Sequence, residues 1–184
     1  MEETIRPADL NRQAHIETER LFLREITQDD FDAMKAYLSD PETMRFYPAP
    51  YDDAGVQRWI DWTLDLYRDF GFGLWAVCRK EDGEMIGDCG ITLQKIDGKI
   101  RPEIGYHFRK DCWRRGYARE AGSAVRDWAF ANTPFRTLYS YMNYRNLPSA
   151  ATAESLGMTF RCKYPDPDNE YDLVYAIEKD AALR

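Results

Sequence analysis

The stretch "CWRRGYAREA", residues 112–121, holds residues whose types and spacing could do chemistry. Before it, "PEIGYHFRK" reads as a strand, and after it a helix is predicted from about Ala118 to Ala131. A helix N-terminus presents unpaired backbone N–H groups and the positive end of the helix dipole. An anion can sit there if the backbone comes close. Gly116 removes the Cβ that would block the approach, Ala118 is the next smallest choice, and Arg114 and Arg115 add positive charge. The run Trp113, Arg114, Arg115, Gly116, Tyr117, Ala118 is therefore consistent with a seat for a phosphate or pyrophosphate. It is equally consistent with a tight turn whose small residue lets the helix pack on a sheet. Neither G-x-x-x-x-G-K-[ST] nor G-x-G-x-x-G occurs in the chain.

The elements that must position this loop follow from periodicity. "RLFLREI" (residues 20–26) reads as a strand, and Phe31, Met34 and Leu38 then fall on one helical stripe. Thr27 with Asp30 resembles a capping box at the start of that helix, and Pro41 helps to end it. In "DDAGVQRWIDWTLDLYRDFG", Val56, Trp59, Ile60, Leu64 and Tyr67 make one apolar face. Asp52 or Asp53 can cap this second helix and Gly71 can close it. "LWAVCRK", "MIGDCGITLQKI" and "IRPEIGYHFR" read as three strands joined by Asp-Gly hairpin turns. "RTLYSYMNY" reads as a strand, "PSAATAESLG" as a short helix, and "MTFRCKY" and "YDLVYAIE" as a closing antiparallel pair. The order is β-α-α-β-β-β-α-β-α-β-β. Its β-α-β unit (strand 100–109, helix 118–131, strand 137–144) should form a parallel pair with a right-handed crossover. The class is α+β, a mixed and largely antiparallel sheet with flanking helices. No repeat or linker divides the 184 residues, so one domain is expected over 1–184, with its core at about 16–178.

The net charge of −7 and pI near 5.0 argue against nucleic acid as a partner, which wants a basic face. They fit a cationic partner such as an amine or basic peptide, and equally serve solubility. Cys78, Cys89, Cys112 and Cys162 form no C-x-x-C pair, and His15 and His107 are the two histidines. Reduced, packed thiols and no metal site are expected. The longest clean apolar run, Leu74 to Cys78, is too short to span a bilayer. The N-terminal stretch is charged and lacks an apolar h-region, so no membrane association and a cytoplasmic location are expected.

The order of elements and the loop together resemble the GNAT acetyltransferase superfamily. Its acyl-CoA loop reads Q/R-x-x-G-x-G/A, and "WRRGYA" (residues 113–118) matches at Gly116 and Ala118 while Trp113 departs from the first position. An aromatic residue there is similar to the branch that includes ribosomal-protein N-terminal acetyltransferases, as is "EIGYHFRKDCWRRGYAREA" over its length. That branch also has an N-x-x-S start to its fourth helix and a Gly-Phe at the helix end. This chain has Asn146, Ser149 and Gly157-Met158 at those places, with Met for Phe. "TERLFLREITQDDFDAM" resembles the branch's opening strand and helix. The resemblance covers about residues 16–178.

The resemblance implies an acetyl-CoA-dependent N-acetyltransferase, with acetyl-CoA as acyl donor in a cleft where strands 100–109 and 137–144 splay apart. The pyrophosphate would rest on backbone N–H groups of Arg114 through Ala118. The pantetheine arm would pair near Phe108 and Arg109, with Asn146 and Ser149 on the other wall. On the bland reading, Asn146 starts a turn and Ser149 caps a helix. A backbone N–H in this region could polarise the thioester carbonyl. Glu103 is the candidate base for the acceptor ammonium, or else a carboxylate that orients substrate or pairs with Arg101. The family's usual acid, a Tyr four residues before the helix-ending Gly, is replaced by Ala153. Tyr141 and Tyr144 are weaker candidates for that acid. Cys112 beside the loop invites an acyl-cysteine route, but direct transfer fits the family better. Aromatics of "RFYPAPY" (45–51) and "YPDPDNEY" (164–171) could line the acceptor side or simply anchor loops. The acceptor would be a small molecule or a peptide N-terminus, and a homodimer is possible. The alternative is a non-catalytic acyl-CoA-binding regulatory module on the same fold, and a third reading is a structural domain with no CoA site.

Overall fold

The Thr27 hydroxyl accepts the Asp29 N–H, while the Asp30 carboxylate accepts the Thr27 N–H at 2.8 Å. This capping box, read from two residues of sequence, opens a short 3-10 turn (Gln28–Asp30) that runs into helix α1 (Phe31–Leu38). Helix α2 (Asp53–Phe70) starts at Asp52, whose carboxylate accepts the Gly55 N–H at 2.7 Å. It ends at Gly71, in the left-handed conformation with φ 72° that glycine adopts at no steric cost. Val56, Ile60 and Tyr67 of the predicted apolar face are buried, together with Thr63 and Leu66. Trp59 and Leu64 are only half-buried.

The structure is a computed structural model that describes residues 16–96, 98–167 and 170–182. His15 and part of the 164–171 loop, Asp168 and Asn169, lie outside the described residues. The strands are β1 (Ile16–Glu17), β2 (Leu21–Glu25), β3 (Leu74–Arg79), β4 (Met85–Ile96), β5 (Lys99–Phe108), β6 (Thr137–Asn143), β7 (Thr159–Tyr164) and β8 (Asp172–Glu178). They form one sheet in the order β1-β2-β3-β4-β5-β6-β8-β7. All neighbours run antiparallel except β5 and β6. Helix α3 (Tyr117–Asn132) makes the crossover between that parallel pair, α4 (Leu147–Ser155) follows β6, and a last turn, α5 (Lys179–Ala182), follows β8. The α+β class and the predicted element order are both found. The additions are β1 and α5, each too short to carry a periodic signal.

The core divides across the sheet. In β3, Trp75 and Val77 join the cluster under α3 and α4, while Leu74, Ala76 and Cys78 join the cluster under α1 and α2. A strand covered on both faces reads as an unbroken apolar run, which is how "LWAVC" looks in the sequence. The four cysteines are free thiols, three of them buried. No helix among the described residues is long and apolar enough to cross a membrane.

Register across the β4–β5 hairpin fixes the chemistry below. It sets Asp88 opposite His107, Gly90 opposite Gly105 and Thr92 opposite Glu103. Gly90 is sterically required, because a Cβ there would lie 2.0 Å from the Gly73 carbonyl oxygen.

Candidate active site

Strands β5 and β6 pair at one position among the described residues, Glu103 opposite Tyr139. Beyond it they separate. The Arg109 N–H donates to the Ile86 carbonyl. By the alternation of an antiparallel ladder, the backbone groups of residues 104, 106 and 108 therefore point away from β4 and toward the gap. A cavity of about 910 Å³ opens there. It is continuous from Gly116 and Tyr117, past Phe108 and Tyr106, to Glu103 and Tyr141.

At one end lies the 112–118 loop. The Trp113 indole N–H donates to the Phe108 carbonyl at 2.7 Å, which ties the loop to the strand end. The aromatic residue that departs from the general motif therefore has a structural task. That bond and the Arg109–Ile86 bond leave the carbonyl of Phe108 and the N–H of Arg109 already engaged. Arg114 (φ 59°) and Gly116 (φ 80°) both take left-handed backbone, a conformation that turns successive N–H groups toward one side. Gly116 begins α3 with no side-chain cap, so the first-turn N–H groups are left for another acceptor. Arg20, a residue the sequence reading passed over, clamps the loop. It donates to the Arg115 carbonyl at 2.9 Å, pairs with Glu120 at 2.6 Å and lies over the Tyr117 ring. Arg45, Lys110, Arg114 and Arg119 line this end of the cavity. The side chains of Arg109 and Arg115 do not line it; Arg109 is paired with Glu84 and Asp111.

On the opposite wall, the Asn146 side chain accepts the Ser149 N–H at 3.2 Å. Asn146, not Ser149, is thus the cap of α4. Tyr106 Oη lies 3.0 Å from the Ser149 carbonyl, to which it donates, and 3.1 Å from the Ser149 hydroxyl. Both Asn146 and Ser149 line the cavity. Ala153 is fully buried, so α4 offers no phenol at that position. Tyr141 lines the cavity, whereas Tyr144 packs at a tilt against Tyr171 and is not among the lining residues. Burial, then the charge of Glu103, pushes the Tyr141 hydroxyl up.

Glu103 accepts the Thr92 hydroxyl at 2.9 Å. Burial raises its pKa from 4.5 to about 7, against the Thr92 hydrogen bond and the charge of His107, which both lower it. Arg101 is not its partner; that guanidinium donates to Tyr139 Oη and lies over the Tyr139 ring. Cys112 is buried, and burial pushes its thiol up, away from the thiolate that a nucleophile needs.

His107 was missed as a site residue. It lines the cavity with Nδ1 2.9 Å from the Asp88 carboxylate and Nε2 2.8 Å from Tyr47 Oη. The hairpin held the signal: counting outward from Ile96 opposite Lys99 sets Asp88 opposite His107. Of the 45–51 aromatics, Phe46 and Tyr47 line the cavity, and so does Asp166 of the later loop.

The description "Acetyltransferase (GNAT) domain" matches residues 20–159. The chain is 31% identical to the protein YkkB of Bacillus subtilis strain 168 over 152 residues, 82% of this chain and 88% of that one. A solved acetyltransferase from Agrobacterium tumefaciens superposes with a TM-score of 0.78 at 35% identity, covering 89% of this chain and 93% of that chain. The RimL ribosomal L7/L12 alpha-N-protein acetyltransferase, solved with coenzyme A, shares the fold at a TM-score of 0.75 and 15% identity. That match covers 92% of this chain and 99% of the other.

Proposed function

Since the chain belongs to the GNAT acetyltransferase domain family, we propose that it moves an acetyl group from acetyl-CoA directly to a primary amine, a small amine or a peptide N-terminus. The observation that carries this reading is the continuity of one cavity from an uncapped helix N-terminus to a carboxylate titrating near neutral pH. The residues present fit the donor. A pyrophosphate wants converging N–H groups and positive charge, and the left-handed Arg114 and Gly116, with Arg45 and Arg119 around them, offer both; Lys110 is paired with Asp40 and Glu42. The pantetheine arm takes the place β6 vacates beside β5, meeting backbone groups at Tyr106 and the N–H of Phe108. Asn146 and Ser149 bound it on the other side.

Acetyl-CoA supplies an activated thioester carbonyl, and a backbone N–H on the β6-facing edge of β5 polarises it. An alkyl ammonium is almost fully protonated at neutral pH, so it must lose a proton before it attacks. Glu103, near pH 7, accepts that proton directly or through water. Direct attack needs no enzyme nucleophile. Cys112 is buried with a raised thiol pKa, and both ring nitrogens of the nearby sequence histidine, His107, are engaged elsewhere.

Titration calorimetry with CoA tests the donor site. Measurable binding to the native chain supports the reading, and absence of binding would falsify it. An acceptor screen in the presence of acetyl-CoA then separates the transferase from an acyl-CoA-binding module, which would bind but never turn over.

A further inference from the structure

We propose that Tyr47, His107 and Asp88 form a proton relay that protonates the departing CoA thiolate, with Tyr47 as its acid. This rests on the transferase reading above, and it fills the role that Ala153 cannot fill on α4.

The relay is built from three elements and one loop. Asp88, on β4, is fully buried. Its Oδ2 accepts the hydroxyl of Tyr37, from α1, at 2.7 Å. Burial holds the Tyr37 hydroxyl far above its ordinary range, so it stays a donor. Asp88 Oδ1 lies 2.9 Å from His107 Nδ1 on β5, and a carboxylate oxygen there requires that Nδ1 carry the proton. Nε2 is left facing Tyr47 Oη at 2.8 Å. The groups packed around the imidazole are Tyr37, stacked at 6.3 Å between ring centroids, the Trp59 edge from α2 at 5.6 Å, Tyr47, Asp88 and, along its own strand, Glu103. Burial disfavours charge on the ring, but the charge and hydrogen bond of Asp88, with Glu103 beyond, outweigh it and raise the pKa above 6.5.

In the charged ring, Nε2–H donates to Tyr47 Oη. The Tyr47 proton is then free to point into the cavity, which the residue lines with 40% of its surface accessible. A network that only anchored the 45–51 loop would have no need to end on a residue that lines the reaction cavity, where burial pushes the phenol up and keeps its proton on. Glu103 and His107 also share one face of β5, with Gly105 between them. A Cβ at Gly105 would meet nothing nearer than 3.5 Å, so the floor between the two groups is bare. Paired titratable groups held in different protonation states mark a division into base and acid.

The step balances. The acceptor ammonium loses one proton to Glu103 and from there to water. The amine lone pair forms the N–C bond, and the C–S bond breaks with its electrons on sulfur. Sulfur takes the Tyr47 proton while Tyr47 takes the Nε2 proton of His107. The second proton shed by the new amide nitrogen recharges the imidazole through water. One proton is released per turnover.

The test uses the full chain, Tyr47→Phe and His107→Gln, and two donors: acetyl-CoA and the acetyl thioester of 4-nitrothiophenol, whose thiolate leaves without a proton. With acetyl-CoA, Tyr47→Phe should lose about 100-fold in kcat with its CoA affinity unchanged. With the aryl thioester it should match the native chain. The native rate should fall on the alkaline side as His107 loses its proton, and this limb should vanish in His107→Gln. Native kcat in Tyr47→Phe, an equal loss with both donors, or loss of CoA binding would overturn the relay and leave Tyr47 a loop anchor. If the native chain turns over no amine at all, the transferase reading itself fails.

Discussion

Glu103 is a carboxylate held near its half-protonated point at neutral pH because burial outweighs the Thr92 hydrogen bond and the His107 charge. Replacing it with Gln keeps the shape and removes the proposed base, so kcat at pH 7 should fall about 100-fold or more, measured by thiol release. The same group affects stability. Its folded pKa lies above its ordinary 4.5, so the folded chain holds the proton more tightly than the unfolded chain. The resulting stabilisation is complete below about pH 4.5 and is lost as pH rises through about 7. Glu103→Gln should therefore melt with the native protein at pH 4.5 and above it at pH 8, by on the order of 3 kcal/mol. At Cys112 the expectation is the reverse of a nucleophile's: Cys112→Ala should keep nearly full turnover. Complete loss would contradict direct transfer.

At the scale of elements, the proposed phosphate seat before α3 would work through backbone geometry more than through its arginines. Gly116→Val places a branched side chain at φ 80°, where L-residues are strained and the Cβ would come 3.4 Å from the Arg20 guanidinium. CoA affinity should fall at least about tenfold, as the seat loses its close approach. Arg114→Gly suits the left-handed φ of 59°, and should keep CoA affinity within a few-fold without loss of stability. A large loss there would move the work from backbone to side chain. The loop and the Asp52, Thr27 and Gly71 caps were legible in the sequence because each is a local signal of a few residues, whereas the splayed pair followed only from the resemblance to GNAT enzymes. Asp88–His107–Tyr47 was not, since its members sit on two strands and a loop and only register brings them together. Arg20 was missed for the same reason, lying 100 residues from Glu120. Asn146 takes the capping role expected of Ser149, because either residue type can cap a helix.

At the scale of the whole molecule, the sheet splits where its single parallel pair ends, and the chain's chemistry gathers in that split. Cations collect where α3 begins, and Glu103 with its neighbours stands at the far end of the same cavity. On the proposed reading an anionic donor would come to the first end and a cationic acceptor to the second, although the chain as a whole carries a charge of −7. Salt should weaken the donor side most, because its hold on phosphate is electrostatic. The most direct measurement of the central claim is thiol release from acetyl-CoA across a panel of small amines and peptides with free N-termini. The account predicts turnover with at least one acceptor, one thiol formed for each amine acetylated. Tight acetyl-CoA binding with no thiol release on any acceptor would contradict it.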